Sequence, residues 1–286
     1  MCRIDIETDC CPASELAAVI RTSGSVWVLP GDGTGVKIVT ENAAFARRVF
    51  TVARKVLGAS PSVMTRKRDK LNKHITYILE LNLSALNEEA LENIGVRLEG
   101  SPPEIVFETD FGRFLKNPCC IKAFLRGAFL AAGSISDPEK TYHLEISNRD
   151  AALLGKLAGL MEEFGLKPKI IRRKGNFILY LKEGENIVDF LNITGAHRAL
   201  LELENIRILK EMRNNVNRLV NCETANLGKT VNASVRQVEN IKYLQSTIGF
   251  DCLPEGLKEV AELRLKYVDA SLKELGEMLS PPLGKS

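Results

Sequence analysis

The sequence predicts an α+β protein: a duplicated αββαββ domain with pseudo-two-fold symmetry, followed by an all-α region. Three observations carry this. A short apolar helix rich in small residues, closed by Gly-Ser and followed by strand-like sequence, occurs at residues 16–26 and again at 125–135. Strand pairs with turn sequences follow each copy in the same order. From about Gly195 onward the strand signals stop and only helical spacing remains.

The first helix is expected from Pro12, with proline in its first turn, to Ser23, where Gly24 ends it. Residues 25–29 and 36–40 read as strands joined through Gly31-Asp32-Gly33. Residues 42–57 form an amphipathic helix, with Phe45, Val49, Val52, Ala53 and Val56 on one face and Gly58 as the stop. A second hairpin covers 62–68 and 74–81. The second copy repeats this order: a helix over 121–132, strands at 134–135 and 142–147, a helix over 150–164, and a hairpin of 169–173 with 177–181. Of the all-α region, 199–220 is expected as one helix, 222–227 as a break and 230–248 as the next helix. Two shorter helices, over 253–266 and 271–279, precede the turn Ser280-Pro281-Pro282-Leu283-Gly284.

These elements divide the chain into residues 1–82 as the first half of the duplicated domain, 83–117 as an acidic connector and 118–196 as the second half. A linking helix over 197–227 and a helical domain over 228–286 follow. Charge is uneven. Residues 21–74 hold eleven Lys and Arg against three acids, 116–182 hold twelve against six, and 80–110 hold eight acids and one Arg. Two basic blocks around an acidic connector point to a polyanion, and solvated surface is the competing reading. No apolar run approaches the ~20 residues that span a bilayer, and no signal-peptide pattern opens the chain, so no membrane partner is expected. Seven cysteines, two pairs of them adjacent, are not a disulfide framework, which places the protein in a reducing cytoplasm.

Neither the cysteine pairs 10–11 and 119–120 nor His74, His143 and His197 have the spacing of a metal site, and neither a phosphate-binding loop nor a nucleophile–base pair is visible. No cofactor, no metal and no catalytic residue is therefore expected. The basic candidates lie on strands that answer one another in the two copies. Arg66 and Arg68 stand on one, and Arg172 and Lys174 on the other. Contacts of this kind to phosphate give salt-dependent, weakly specific affinity.

The paired helix resembles the LAGLIDADG motif of homing endonucleases, in which two such helices pack on a pseudo-dyad. On that resemblance Ala17, Ala18 and Gly24 face Gly127, Ala128 and Gly133. The family places an acid just before each glycine to bind a divalent metal, since Mg²⁺ prefers hard oxygen ligands. Here those degenerate positions are Ser23 and Ala132. The expectation is a domain without that metal site and without nuclease activity.

Residues 253–286 have the proportions of a helix-turn-helix, in which the helix after the turn enters the major groove. Ser271, Lys273, Glu274, Leu275, Lys285 and Ser286 are its DNA-binding candidates, with Leu272, Leu275 and Leu279 as core anchors. Over the whole chain, most specifically at 123–134, 137–146, 204–214, 218–226, 229–239 and 269–276, the sequence is similar to the WhiA family of bacterial regulators of sporulation and cell division. That resemblance implies a degenerate homing-endonuclease domain joined to a helix-turn-helix. It also implies binding to double-stranded DNA at promoters, association with other transcription regulators, and a place at the nucleoid. Family members continue past the position of Ser286 into the reading helix. A chain ending at Ser286 is thus expected to bind DNA weakly and with poor discrimination. The alternatives are a nuclease with its metal elsewhere, and a protein-interaction scaffold in which only the C-terminal region touches DNA.

Overall fold

The computed structural model describes residues 1–4, 11–29, 33–58, 60–67, 75–101 and 103–283. The chain forms two units, Met1–Arg207 and Ile208–Ser286. The first opens with α1 (Cys11–Ser23), β1 (Gly24–Leu29), β2 (Gly33–Thr40), α2 (Ala43–Leu57), β3 (Ser62–Lys67) and β4 (Ile75–Asn82). Helix α2 starts where Asn42 accepts the amides of Ala44 and Phe45, and stops at Gly58 in the left-handed region, with φ 65°. Next come α3 (Glu88–Asn93), β5 (Val96–Glu99) and β6 (Glu104–Phe107). The second copy consists of α4 (Pro118–Ala132), β7 (Gly133–Ile135), β8 (Leu144–Asn148), α5 (Ala151–Glu162), β9 (Lys169–Arg173) and β10 (Asn176–Leu181).

The two four-stranded sheets have the same antiparallel order, β1-β2-β4-β3 and β7-β8-β10-β9. Their registers also agree. Gly24 pairs with Ile38 and Ile38 with Leu79, while Gly133 pairs with Ile146 and Ile146 with Leu179. The duplication therefore holds residue for residue along the central strands. Ile38, Leu79, Leu81, Ile146, Leu179 and Leu181 are all buried, so one face of each sheet is core. Helices α1 and α4 make the most extensive contact of any two elements described.

Several features were not visible in the sequence. Segment 83–117 reads as a connector, yet it folds into α3 and the β5–β6 hairpin and puts Leu91, Ile94, Val96, Phe111, Phe114 and Leu115 into the core. Elements this short lie below the window in which apolar periodicity is readable. Helix α6 (Gly184–Ile193) follows β10 unannounced and buries Ile187, Phe190 and Leu191. The break expected at 222–227 is absent. Helix α7 (His197–Thr247) is continuous over 51 residues. The stretch Cys222-Glu-Thr-Ala-Asn-Leu227 interrupts the apolar pattern but holds no proline. Gly228 costs a helix only about 1 kcal/mol. Of the apolar residues at helical spacing along this segment, Leu203 is buried, whereas Leu209, Met212, Val216 and Leu219 stand more than half exposed.

In the second unit, α8 (Glu255–Lys266) and α9 (Leu272–Glu277) accompany the C-terminal part of α7. Ser234 on α7 donates its hydroxyl to the Val268 carbonyl. Arg264, 3% exposed, donates through Nη1 to the carbonyls of Val268 at 3.4 Å and Ala270 at 2.5 Å. These bonds fix the turn between α8 and α9.

Candidate nucleic-acid interface

The helix pair is built on small residues. Ala17, Ala18 and Ala128 are fully buried. At Gly127 a Cβ would collide with the carbonyl oxygen of Glu15 and come within 3.0 Å of the Ala18 methyl, so only glycine permits this approach. Gly24 and Gly133 end the two helices and start β1 and β7 without an intervening loop. Gly133 does so in an extended conformation rather than the left-handed one typical of helix ends.

Within this apolar pair lies one ionic group. The Glu15 carboxylate receives Arg48 Nε at 2.7 Å on one oxygen, and Arg48 Nη2 and Arg126 Nε, each at 2.9 Å, on the other. Arg48 also donates to the Ile4 carbonyl, and Arg126 Nη1 to that of Thr194 at 3.3 Å. Glu15 on α1 thus ties α2 of its own half to α4 of the other. The sequence signal was a charge in the middle of each of two largely apolar helices, Glu15 in α1 and Arg126 in α4.

At the base of the pair neither degenerate position offers a carboxylate. Ser23 turns its hydroxyl back onto the Val19 carbonyl at 3.1 Å, and Ala132 is a methyl. Asn148 of β8 donates to the Thr22 carbonyl at 3.0 Å and joins the halves there. The nearby strand carboxylates are already paired: Glu80 with Lys37 at 3.0 Å, Glu145 with His143 at 3.0 Å and Ser134 at 3.3 Å. Among the described residues, no three His, Cys, Asp or Glu side chains converge as metal ligands would.

The basic strands are placed by register. β3 and β9 are exposed along their whole length. Val63 pairs with buried Leu79 and Ile170 with buried Leu179, so Val63 and Ile170 are equivalent and point to the helix-covered side. Counting on by alternation, Arg66 and Arg173 are equivalent and both lie on the opposite face. Arg172 lies on the helix side, with its guanidinium 5.8 Å from the Phe177 ring centroid. The counterpart of Arg66 is therefore Arg173 and not Arg172, and that of Lys67 is Lys174. Lys174 sits in the left-handed region with φ 49°, in the tight turn before Gly175. Arg68 falls outside the described residues.

In the second unit, Ser271 and Glu274 form a capping box on α9. The Ser271 hydroxyl accepts the Glu274 amide at 3.3 Å, and the Glu274 carboxylate accepts the Ser271 amide at 2.7 Å. That backbone hydrogen bond is the main reason the Glu274 carboxyl titrates below its usual range, with Lys273 helping. Leu275 and Leu279 are buried anchors. Leu272, expected as a third, is 67% exposed. Burial removes Leu275 from any DNA-binding set. Lys273 reaches solvent beside Glu277 at 3.8 Å. Lys285 and Ser286 fall outside the described residues.

A further cation, the half-buried Arg21, was not foreseen from the sequence. Arg21 lies about 5 Å from the ring centroids of Phe107, Phe111 and Phe114 and donates to the Gly95 carbonyl at 2.6 Å. Burial lowers its pKa to about 10, against the raising influence of Glu108. It fastens the 83–117 segment to α1, and only the aromatic spacing of that segment hinted at it.

Family comparisons agree with this geometry. Residues 9–96 match the WhiA N-terminal LAGLIDADG-like domain, 121–213 the WhiA LAGLIDADG-like domain and 216–286 the WhiA C-terminal HTH domain. The chain belongs to the WhiA family. A relative from Ruminiclostridium cellulolyticum, named "Probable cell division protein WhiA", is 52% identical over 286 residues, covering 100% of this chain and 90% of its own length. Among solved structures, full-length DUF199/WhiA from Thermatoga maritima superposes with a TM-score of 0.62 at 27% identity, over 99% of this chain and 89% of that one. The N-terminal LAGLIDADG domain of DUF199/WhiA gives 0.54 at 22% identity, over 72% of this chain and 91% of that one, which supports the fold of the first unit. The WhiA assignment accounts for the duplicated sheets and for the helical C-terminal unit. No helix among the described residues is long and apolar enough to cross a membrane.

Proposed function

We propose that this WhiA-family chain is a sequence-specific, DNA-binding transcription regulator acting in cell division and chromosome segregation or in sporulation, and that its LAGLIDADG-like domain does not cut DNA. The observation that carries the reading is the helix-turn-helix family match over residues 216–286. Support comes from the capped α9, the turn held by Arg264, and the exposed cations of β3 and β9 on two equivalent sheet edges. The absence of a carboxylate at Ser23 and Ala132 supports binding without hydrolysis, because the metal-assisted reaction needs hard anionic ligands there. Promoter DNA is the partner, other regulators are candidate partners on it, and the nucleoid in the cytoplasm is the place of action.

Crosslinking the protein to the chromosome in its own host, followed by sequencing, tests the proposal. Enrichment at discrete sites upstream of division or sporulation genes is expected. Uniform recovery across the chromosome would leave it without support.

A further inference from the structure

Helix α7 has an exposed polar face that neither the helix-turn-helix nor the sheets explain. From Arg213 to Asn221 the i+3 and i+4 spacings bring Arg213, Asn214, Asn217, Arg218 and Asn221 onto one side, with Met212, Val216 and Leu219 on another. All five polar residues are exposed. Among the described residues, Arg213 and Arg218 have no carboxylate partner, and the amides of Asn214, Asn217 and Asn221 make no side-chain hydrogen bond. Glu211, on the flank, is the one acid between residues 210 and 222.

Asparagine is a poor helix former, so the three on this face weaken the helix, and among the described residues no side chain uses their donors and acceptors. Those groups are left to act outside the chain. Arginine and asparagine are the side chains that bind bidentately to guanine and adenine edges, and the major groove, about 12 Å wide, admits an α-helix. The deep, narrow major groove of A-form RNA does not.

We propose that this face of α7 lies against the major groove of double-stranded DNA, with Arg213 and Arg218 on phosphates and Asn214, Asn217 and Asn221 on base edges. The inference rests on the DNA-binding reading above but adds a second contact surface, at the junction of the two matched segments 121–213 and 216–286.

The test uses the full chain, a mixed-sequence duplex and a random-sequence duplex pool. Two variants are compared with the parent: R213Q/R218Q and N214A/N217A/N221A. All five sites are exposed, and alanine is the better helix former, so both variants fold, which a thermal melt verifies. The arginine variant is expected to bind the mixed duplex about tenfold or more weakly and to show a salt dependence shallower by about 2 in log–log slope, near 0.9 for each phosphate that is no longer neutralised. The asparagine variant is expected to keep the parental slope and to lack the parent's purine-N7 interference pattern on duplexes selected from the pool. If the parent binds duplex and both variants match it in affinity, slope and interference, the α7 contact is wrong while DNA binding stands. If the parent binds no duplex even at low salt, both fall.

Discussion

Glu15 and Arg126 are 111 residues apart and meet at 2.9 Å inside the helix pair, where Arg48 completes the ionic group. The side chains of Glu15, Arg48 and Arg126 are 3%, 6% and 12% exposed. Removing the carboxylate breaks this buried ionic group and takes from Arg126 the carboxylate it pairs with, which costs about 3–5 kcal/mol. Glu15→Ala is therefore expected to lower the urea midpoint of the first unit sharply. An unchanged midpoint would mean that the ionic group adds nothing to the joining of the two halves.

Glycines in equally helical positions should behave oppositely. At Gly127 an added methyl meets the Glu15 backbone, whereas at Gly155 and Gly159 on α5 it meets nothing within 4 Å. Gly127→Ala is expected to destabilise by about 1–3 kcal/mol through overpacking. Gly155→Ala and Gly159→Ala should each stabilise by about 0.5–1 kcal/mol. Thermal unfolding of the three variants checks the sign of each.

These positions also mark what the sequence made legible. The repeated small-residue helix, closed at Gly24 and Gly133, foretold the helix pair and its pseudo-dyad, since close backbone approach leaves few residue choices. Gly58 marked the end of α2 by the chemistry of helix stops, whereas Asn42, read as its first residue, is its cap. The α3 and β5–β6 segment stayed hidden because its core residues sit in elements of three to six residues or in the turns beside them. The equivalence of Arg66 with Arg173 needed a register, and a one-residue shift moves a side chain to the other face. The Glu15–Arg48–Arg126 group depends on three helices meeting, which no local pattern encodes.

Register makes a distinct prediction for the sheets. Arg66→Gln with Arg173→Gln changes the two equivalent outward cations, and Arg172→Gln changes the one stacked on Phe177. The paired variant is expected to make the salt dependence of duplex binding shallower by about 2. Arg172→Gln should leave it nearly unchanged. Equal behaviour of the two variants would show that DNA does not lie along the sheets.

Helix α9 should respond to its cap and to pH. Ser271→Ala is expected to cost about 1 kcal/mol. The Glu274 carboxyl is held below its usual range first by the Ser271 amide. A carboxyl depressed in the folded state adds stability above its unfolded pKa and loses it as pH falls through the folded value. The C-terminal unit of the parent should therefore lose part of its stability as pH falls through and below the ordinary carboxylate range, and Glu274→Gln should flatten that dependence. Circular dichroism melts at acid and neutral pH decide it.

On the proposed reading this LAGLIDADG-like protein holds DNA and does not cut it. Incubation of the full chain with supercoiled plasmid and Mg²⁺ or Mn²⁺, read on a gel across a salt series, tests this most directly. Retarded plasmid that loses its retardation as salt rises, and is recovered fully supercoiled after protein removal, is the expected result. Progressive nicking or linearisation, absent without the divalent ion, would contradict it.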